Sequence, residues 1–448
     1  MAKKGDNRRP GRSRRGTGAK RSGAKGGGPR SAADRLRDPL EVDGLVRAAL
    51  NGAGELLTID DPLEAEDWAS GVLGAFYKLP VSFDVRERLE RSFGPAIVQA
   101  AERKRNATGL AVLCALAGVT GDEIGAREAA ARMAARGVPR PRWAEAIGTP
   151  DYLGGYTVTD PFGDQIGYYL TFRYADRQPH MLMALYDENL GGIIKDAFVA
   201  ELREGADPRG LLESDPDVTV QDADPAEAAA RIGHAVATGD LFVDNDWTAD
   251  FKHTRTLVRA RMRLLPVVEL PEPPEPRDDE AREALIQEFL ASPLASSLAP
   301  RQDETLRIVD HCLIARCDFG DGDPLRWSPT VVELFMLDYL PRKVSLSPGE
   351  IDALPEVLTA WVRFALTKRG LDKRFVAEAA EAVQTLTEEF REVVSDTDNF
   401  GPAKAIMNAL QADGIDVTDQ RAVDAWLADF NAQPEEERHR FFGPSNDK

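Results

Sequence analysis

From Leu36 onward the apolar residues recur every three to four positions, the spacing of a helix that buries one stripe. Asp61-Pro62 reads as an N-cap followed by proline at the first helical position. The helix it opens places Leu63, Trp68, Val72, Leu73 and Phe76 on or near one face. Further helices are predicted at about 84–104, 107–118 and 122–136. Gly137 closes the last of them, and Pro139 and Pro141 forbid its continuation.

The period changes near Asp151. Segments 153–159, 165–174, 180–187 and 192–199 are rich in Tyr, Val, Thr, Phe and Ile and are separated by short polar turns, which predicts an antiparallel meander. Val218–Gln221 offers a fifth strand. Asp224-Pro225 repeats the cap-plus-proline signal for a helix to about Thr238, and another helix is expected at about 249–265. These flanking helices are the natural cover for one face of the sheet.

Pro266 to Asp279, PVVELPEPPEPRDD, predicts a stiff, extended, acidic spacer. Everything after it reads as helix. Segment 330–340, TVVELFMLDYL, is apolar nearly all round, which marks a central buried helix, opened by Ser328-Pro329 and stopped by Pro341. Ser347 and Glu350 are spaced as a capping box, with helices expected at about 355–368 and 373–395. A short last helix aligns Val423, Trp426, Leu427 and Phe430. The expected fold is mainly α with a small antiparallel β-sheet, an α+β protein. Its divisions are a tail 1–35, a helical region 36–148, an α+β region 149–265, the spacer 266–279 and a helical C-terminal domain 280–444.

Charge changes this picture at one end. Residues 1–30 hold Lys3, Lys4, Arg8, Arg9, Arg12, Arg14, Arg15, Lys20, Arg21, Lys25 and Arg30 against the single acid Asp6, a net of +10. The 448-residue chain carries −19, so residues 31–448 carry −29. Residues 1–35 contain almost nothing apolar, cannot offset the entropy of ordering, and are expected to be disordered. Eleven cations in thirty residues suit phosphates, and the absence of aromatic residues among them predicts contacts indifferent to base sequence. The competing readings are a solubilising leader and a tail that folds back on the acidic body. The first residues lack the apolar core of a signal peptide, and the longest nearly apolar run, Gly109 to Gly121, is shorter than the roughly 20 residues of a membrane span. The chain is therefore expected to be cytoplasmic, with no membrane partner.

Candidate chemistry is sparse. Cys114, Cys312 and Cys317 are too few for a disulfide framework. Cys312 and Cys317, even with His311 beside them, are five apart and diverge by about 140° on a helix, so they read as buried structural thiols. Asp318, Asp321 and Asp323 suggest a cation loop, but the twelfth position from Asp318 is Pro329 rather than Glu, leaving an acidic turn. His180, His234, His253, His311 and His439 show no zinc spacing, and His180 reads as an ordinary strand histidine. No serine elbow or phosphate loop is present, and Gly26 to Gly28 follow no strand. Arg342-Lys343 reads as a cation pair at a helix end. Asp187, Glu188, Lys195 and Asp196 gather acids and a lysine at a strand end, as a candidate surface site or as the polar residues of a hairpin. No metal or cofactor is expected.

The strings DENLGGIIKDAFV (187–199), GDPLRWSPTVVELFMLDYLPRK (322–343), NFGPAKAIMNALQADGIDVTD (399–419) and DDPLEAEDWASGVLGAF (60–76) resemble an uncharacterised family of bacterial proteins from high-GC genomes. The excess of arginine over lysine, 43 against 13, and the abundant alanine agree with that origin. The resemblance spans most of the body, leaves the tail uncovered, and implies no reaction, cofactor or catalytic residue. Two functional expectations follow. One is a non-enzymatic binding or scaffold protein whose residues 1–30 contact nucleic acid or ribosome. The alternative is an enzyme with a site on the meander around Asp187–Asp196.

Overall fold

Asp61 does what its place before Pro62 predicts: its carboxylate accepts the Leu63 N–H at 2.8 Å and starts the helix Pro62–Gly74. The computed structural model describes residues 39–434 apart from 80, 82, 243–246 and 271–276, together with 438 and 441. The basic tail, its eleven cations, His439 and the centre of the predicted spacer lie outside the described residues. The first half opens with α1 (Pro39–Gly52), α2 (Pro62–Gly74), α3 (Phe83–Lys104), α4 (Ala107–Thr120) and α5 (Ala126–Ala135). Four strands follow, β1 (Asp151–Thr159), β2 (Gln165–Arg173), β3 (His180–Asp187) and β4 (Ile193–Glu201). A short helix α6 (Pro208–Glu213) leads to β5 (Thr219–Asp222), then α7 (Pro225–Gly239) and α8 (Ala249–Met262).

The meander forms as expected, and β5 joins it beside β1, giving an antiparallel sheet of order β4-β3-β2-β1-β5. Its inner face presents Tyr168, Leu170, Phe172, Leu182, Ala184, Ile194 and Ala197 to the helices. One hydrophobic core runs through this half from Val46 to Leu265, so the helices before the sheet and those after it share an interior. α4 is buried on nearly every side, which is why its sequence shows no polar stripe.

Helices α2 and α8 approach unusually closely, and small residues permit it. A Cβ on Gly74 would lie 2.0 Å from the Lys252 carbonyl oxygen. Ser70 Oγ donates to His253 O at 2.7 Å and accepts the Leu257 N–H at 3.1 Å, stitching the two helices together. Gly74→Ala is therefore expected to force the helices apart at a cost of about 2–3 kcal/mol, the upper range of overpacking. Urea denaturation checks this, and an unchanged midpoint would refute the packing argument.

The second half comprises α9 (Asp279–Leu290), α10 (Gln302–Cys317), α11 (329–343), α12 (Pro348–Arg369), α13 (Lys373–Ser395), α14 (Pro402–Ala412) and α15 (Gln420–Ala432). Its own core includes Phe289, Leu313, Trp327, Phe335, Leu354, Trp361, Val383 and Phe390. Three expectations need correction. α12 begins at its capping box rather than near 355, because Ser347 and Glu350 already satisfy first-turn N–H groups. Pro341 does not stop α11: Pro329–Glu333 passes through a π-helical Leu334–Tyr339 into Leu340–Lys343. The proline sits in the first turn of that last segment, where a missing N–H costs least. Nor is α11 buried all round, since Leu334 is 40% exposed.

The halves are in contact. Phe162, in the β1–β2 turn, packs edge-on against Phe375 and belongs to the C-terminal core. Arg369 Nη1 donates to Phe162 O at 2.6 Å, and Arg374 pairs with Asp217. Arg326 ties both sheet turns to the helices through Asp164, Asn189 (2.8 Å) and Asp321.

Candidate functional site

The turn between β3 and β4 uses its polar residues on itself. Asp187 is buried; its Oδ1 accepts the N–H groups of Asn189 and Leu190, and its Oδ2 accepts from Gln165 at 2.7 Å. Lys195 approaches the same oxygen at 3.6 Å. Asp196 turns elsewhere and accepts the hydroxyl of Thr248 at the start of α8. Burial, and then the neighbouring Glu188 carboxylate, hold the Tyr186 phenol far above its usual range. Asp187 and Lys195 are thus brought together, while Glu188 neighbours Tyr186 and Asp196 pairs with Thr248. Positive φ at Gly191 and Gly192 supplies the tight turn that the hairpin reading expects.

Around that turn the structure builds a cleft that the sequence did not reveal. Its volume is about 510 Å³, and it lies between the β3–β4 turn, the end of α10 and the π-helical part of α11. Glu188 and Asn189 line one side; Arg316, Phe319, Leu334, Phe335, Asp338, Tyr339 and Lys343 line the other. The i→i+5 hydrogen bonding of the π segment draws 334, 335, 338 and 339 toward one side, and such segments recur at functional sites. Burial raises the Tyr339 hydroxyl to about 12. The acidic turn 318–323 is an ion-pair hub rather than a cation loop. Asp321 takes both Arg316 and Arg326, and Asp318 takes Arg282. Burial presses the Arg316 guanidinium below its ordinary value.

A second recess, about 890 Å³, opens between α1, α2, the end of β4 and α8. Leu45, Ile59, Leu63, Trp68, Phe93 and Leu257 give it an apolar lining. Glu55, Glu64, Asp67 and Glu201 supply the charge, with no lysine or arginine among the lining residues. His253 Nε2 lies 3.0 Å from Asp67 Oδ1, and that hydrogen bond raises the imidazole above its usual value. These partners are 186 residues apart, so no local motif could have announced them.

His180 is more than an ordinary strand histidine. Its Nε2 accepts from the Arg261 guanidinium, which forms a fully buried pair with Glu66. Glu66 also accepts the Gly148 N–H at 3.1 Å. Burial, then the adjacent Arg261 charge, lowers His180 to about 3. The cysteines Cys114, Cys312 and Cys317 are buried thiols, the first raised to about 11 by burial. Among the described residues no group of His, Cys, Asp and Glu is arranged to hold a metal ion, and no helix is long and apolar enough to cross a membrane. Compared with known proteins, the chain matches no family model, no curated protein and no solved structure.

Proposed function

We propose that the protein is a cytoplasmic, non-enzymatic binding or scaffold protein whose residues 1–30 make non-specific contacts with nucleic acid or the ribosome. The observation that carries this reading is the separation of charge. Residues 1–30 hold +10 while the rest holds −29, so the body as a whole repels a polyanion and contacts with one are expected at the tail. The large recess supports the same division of labour. Its apolar lining with four acids and no lysine or arginine suits a basic, partly apolar partner and excludes phosphate.

A salt titration tests the reading, comparing the full chain with one lacking residues 1–30 on single-stranded RNA and on duplex DNA. If five of the cations neutralise phosphates on a single strand, affinity falls with a logarithmic slope of about −3.5. That slope is a loss of about a hundredfold between roughly 50 and 200 mM salt. The shortened protein is expected to bind neither polymer and to unfold at the same temperature as the full chain. Equal binding by the two proteins would overturn the proposal.

A further inference from the structure

The cleft between the β3–β4 turn and α10–α11 has an asymmetry in its unused hydrogen-bonding capacity. Two of the three acids that line it are engaged within the chain, Asp321 by Arg316 and Arg326 and Asp338 by Arg342 at 3.1 Å. The cations are not used up. Arg316, which lines the cleft, is 8% exposed, yet its Nε has no hydrogen-bond partner. A buried donor left unpaired costs about 1–3 kcal/mol, so this one at the cleft wall calls for an acceptor. At the cleft mouth the Lys343 ammonium meets the face of the Phe319 ring, 3.9 Å from its centroid.

Aromatic surface surrounds these donors. Phe319 is 59% exposed, an unusual position for a phenylalanine, and its ring centroid lies 5.8 Å from that of Tyr339. Phe335 stacks on Tyr339 with ring centroids 5.7 Å apart. A volume of about 510 Å³ lies within the range of small-molecule sites.

We propose that this cleft binds a small planar aromatic anion, its ring against Phe319 and Tyr339 and its carboxylate or phosphate against Arg316 and Lys343. The site uses none of the residues in the proposal above and stands or falls without it. Titration calorimetry of the full chain tests it with 1-naphthyl phosphate, 1-naphthoate, uncharged 1-naphthylmethanol and inorganic phosphate. At least one aromatic anion is expected to bind about tenfold or more tighter than the uncharged compound, the contribution of one charged hydrogen bond. Which of the two binds tighter separates a phosphate ester from a carboxylate. Lys343→Gln is expected to weaken that anion about tenfold and leave the uncharged compound unchanged. Phe319→Ala, at an exposed position that does not carry the core, is expected to weaken both. Inorganic phosphate should bind more weakly than the aromatic anion, since it offers no ring. No binding, equal affinity for charged and uncharged compounds, inorganic phosphate binding as tightly as the aromatic anion, or affinities untouched by both substitutions would overturn the proposal.

Discussion

Replacing Arg261 by methionine is expected to destabilise the protein by about 3–5 kcal/mol, the cost of leaving a buried charge without its partner. Arg261 and Glu66 are both 0% exposed, with Nη1 at 3.1 Å and Nη2 at 2.6 Å from the two carboxylate oxygens. Glu66 projects from α2 and Arg261 from α8, while His180 at the start of β3 and Gly148 before β1 complete the network. Four separate segments therefore depend on one ion pair. With methionine in place, the Gly148 N–H and the Tyr174 hydroxyl remain to the carboxylate but no cation does. Glu66→Leu alone should cost a similar amount, because it strands the guanidinium. The double variant Glu66→Leu/Arg261→Met should recover most of the loss, since well-packed apolar groups can replace a buried pair without penalty. Guanidinium denaturation of the four proteins measures this. Single-variant losses under about 1 kcal/mol, or losses that merely add in the double variant, would show that the pair is not coupled as its geometry implies.

Local rules carry the fold a long way because most of its elements are specified locally. Asp61, Asp224 and Ser347 cap the helices their sequence patterns predict, and segments rich in Tyr, Val, Thr, Phe and Ile between short polar turns place four strands within a residue or two. Prediction fails where distant residues decide. Pro341 looks like a stop until the π turn before it supplies a place for a residue without an N–H. The apolar girth of α11 reads as full burial, yet Leu334 faces the cleft. The candidate residues follow the same division. Asp187 was recognisable as a turn residue because its partners lie within three positions or on the neighbouring strand. Lys343 reads in the sequence as half of a helix-end cation pair, and only the docking of the sheet turns onto α10 and α11 brings it and Arg316 to one cleft. Arg326, buried between Asp164, Asn189 and Asp321, joins segments up to 162 residues apart, which no spacing rule encodes.

Acid is expected to destabilise this fold through His180, with a slope that one substitution removes. His180 faces the Arg261 guanidinium from α8, the Phe172 and Tyr174 rings from the β2 side and, beyond Arg261, the Glu66 carboxylate from α2. Protonation would place a second cation beside the one carboxylate in a site closed to water, which is why the imidazole is lowered to about 3. The folded state then binds fewer protons than the unfolded chain, in which histidine titrates near 6.5. Stability is complete above that value and declines as pH falls from about 6.5 toward about 3, at up to about 1.4 kcal/mol per pH unit from this group. His253 works with the opposite sign, because its bond to Asp67 raises its folded value: its contribution is present at low pH and fades as pH rises. The partly buried His311 is lowered and adds to the His180 slope, so the comparison must be made within one variant pair. His180→Gln offers Arg261 an amide oxygen as acceptor and has nothing to titrate. Unfolding free energies of the two proteins measured from pH 7 to pH 3.5 should converge as the solution is acidified, the wild type losing stability the more steeply. Parallel curves would mean that His180 does not stay neutral inside the fold, and would remove the electrostatic account of the Glu66–Arg261–His180 network.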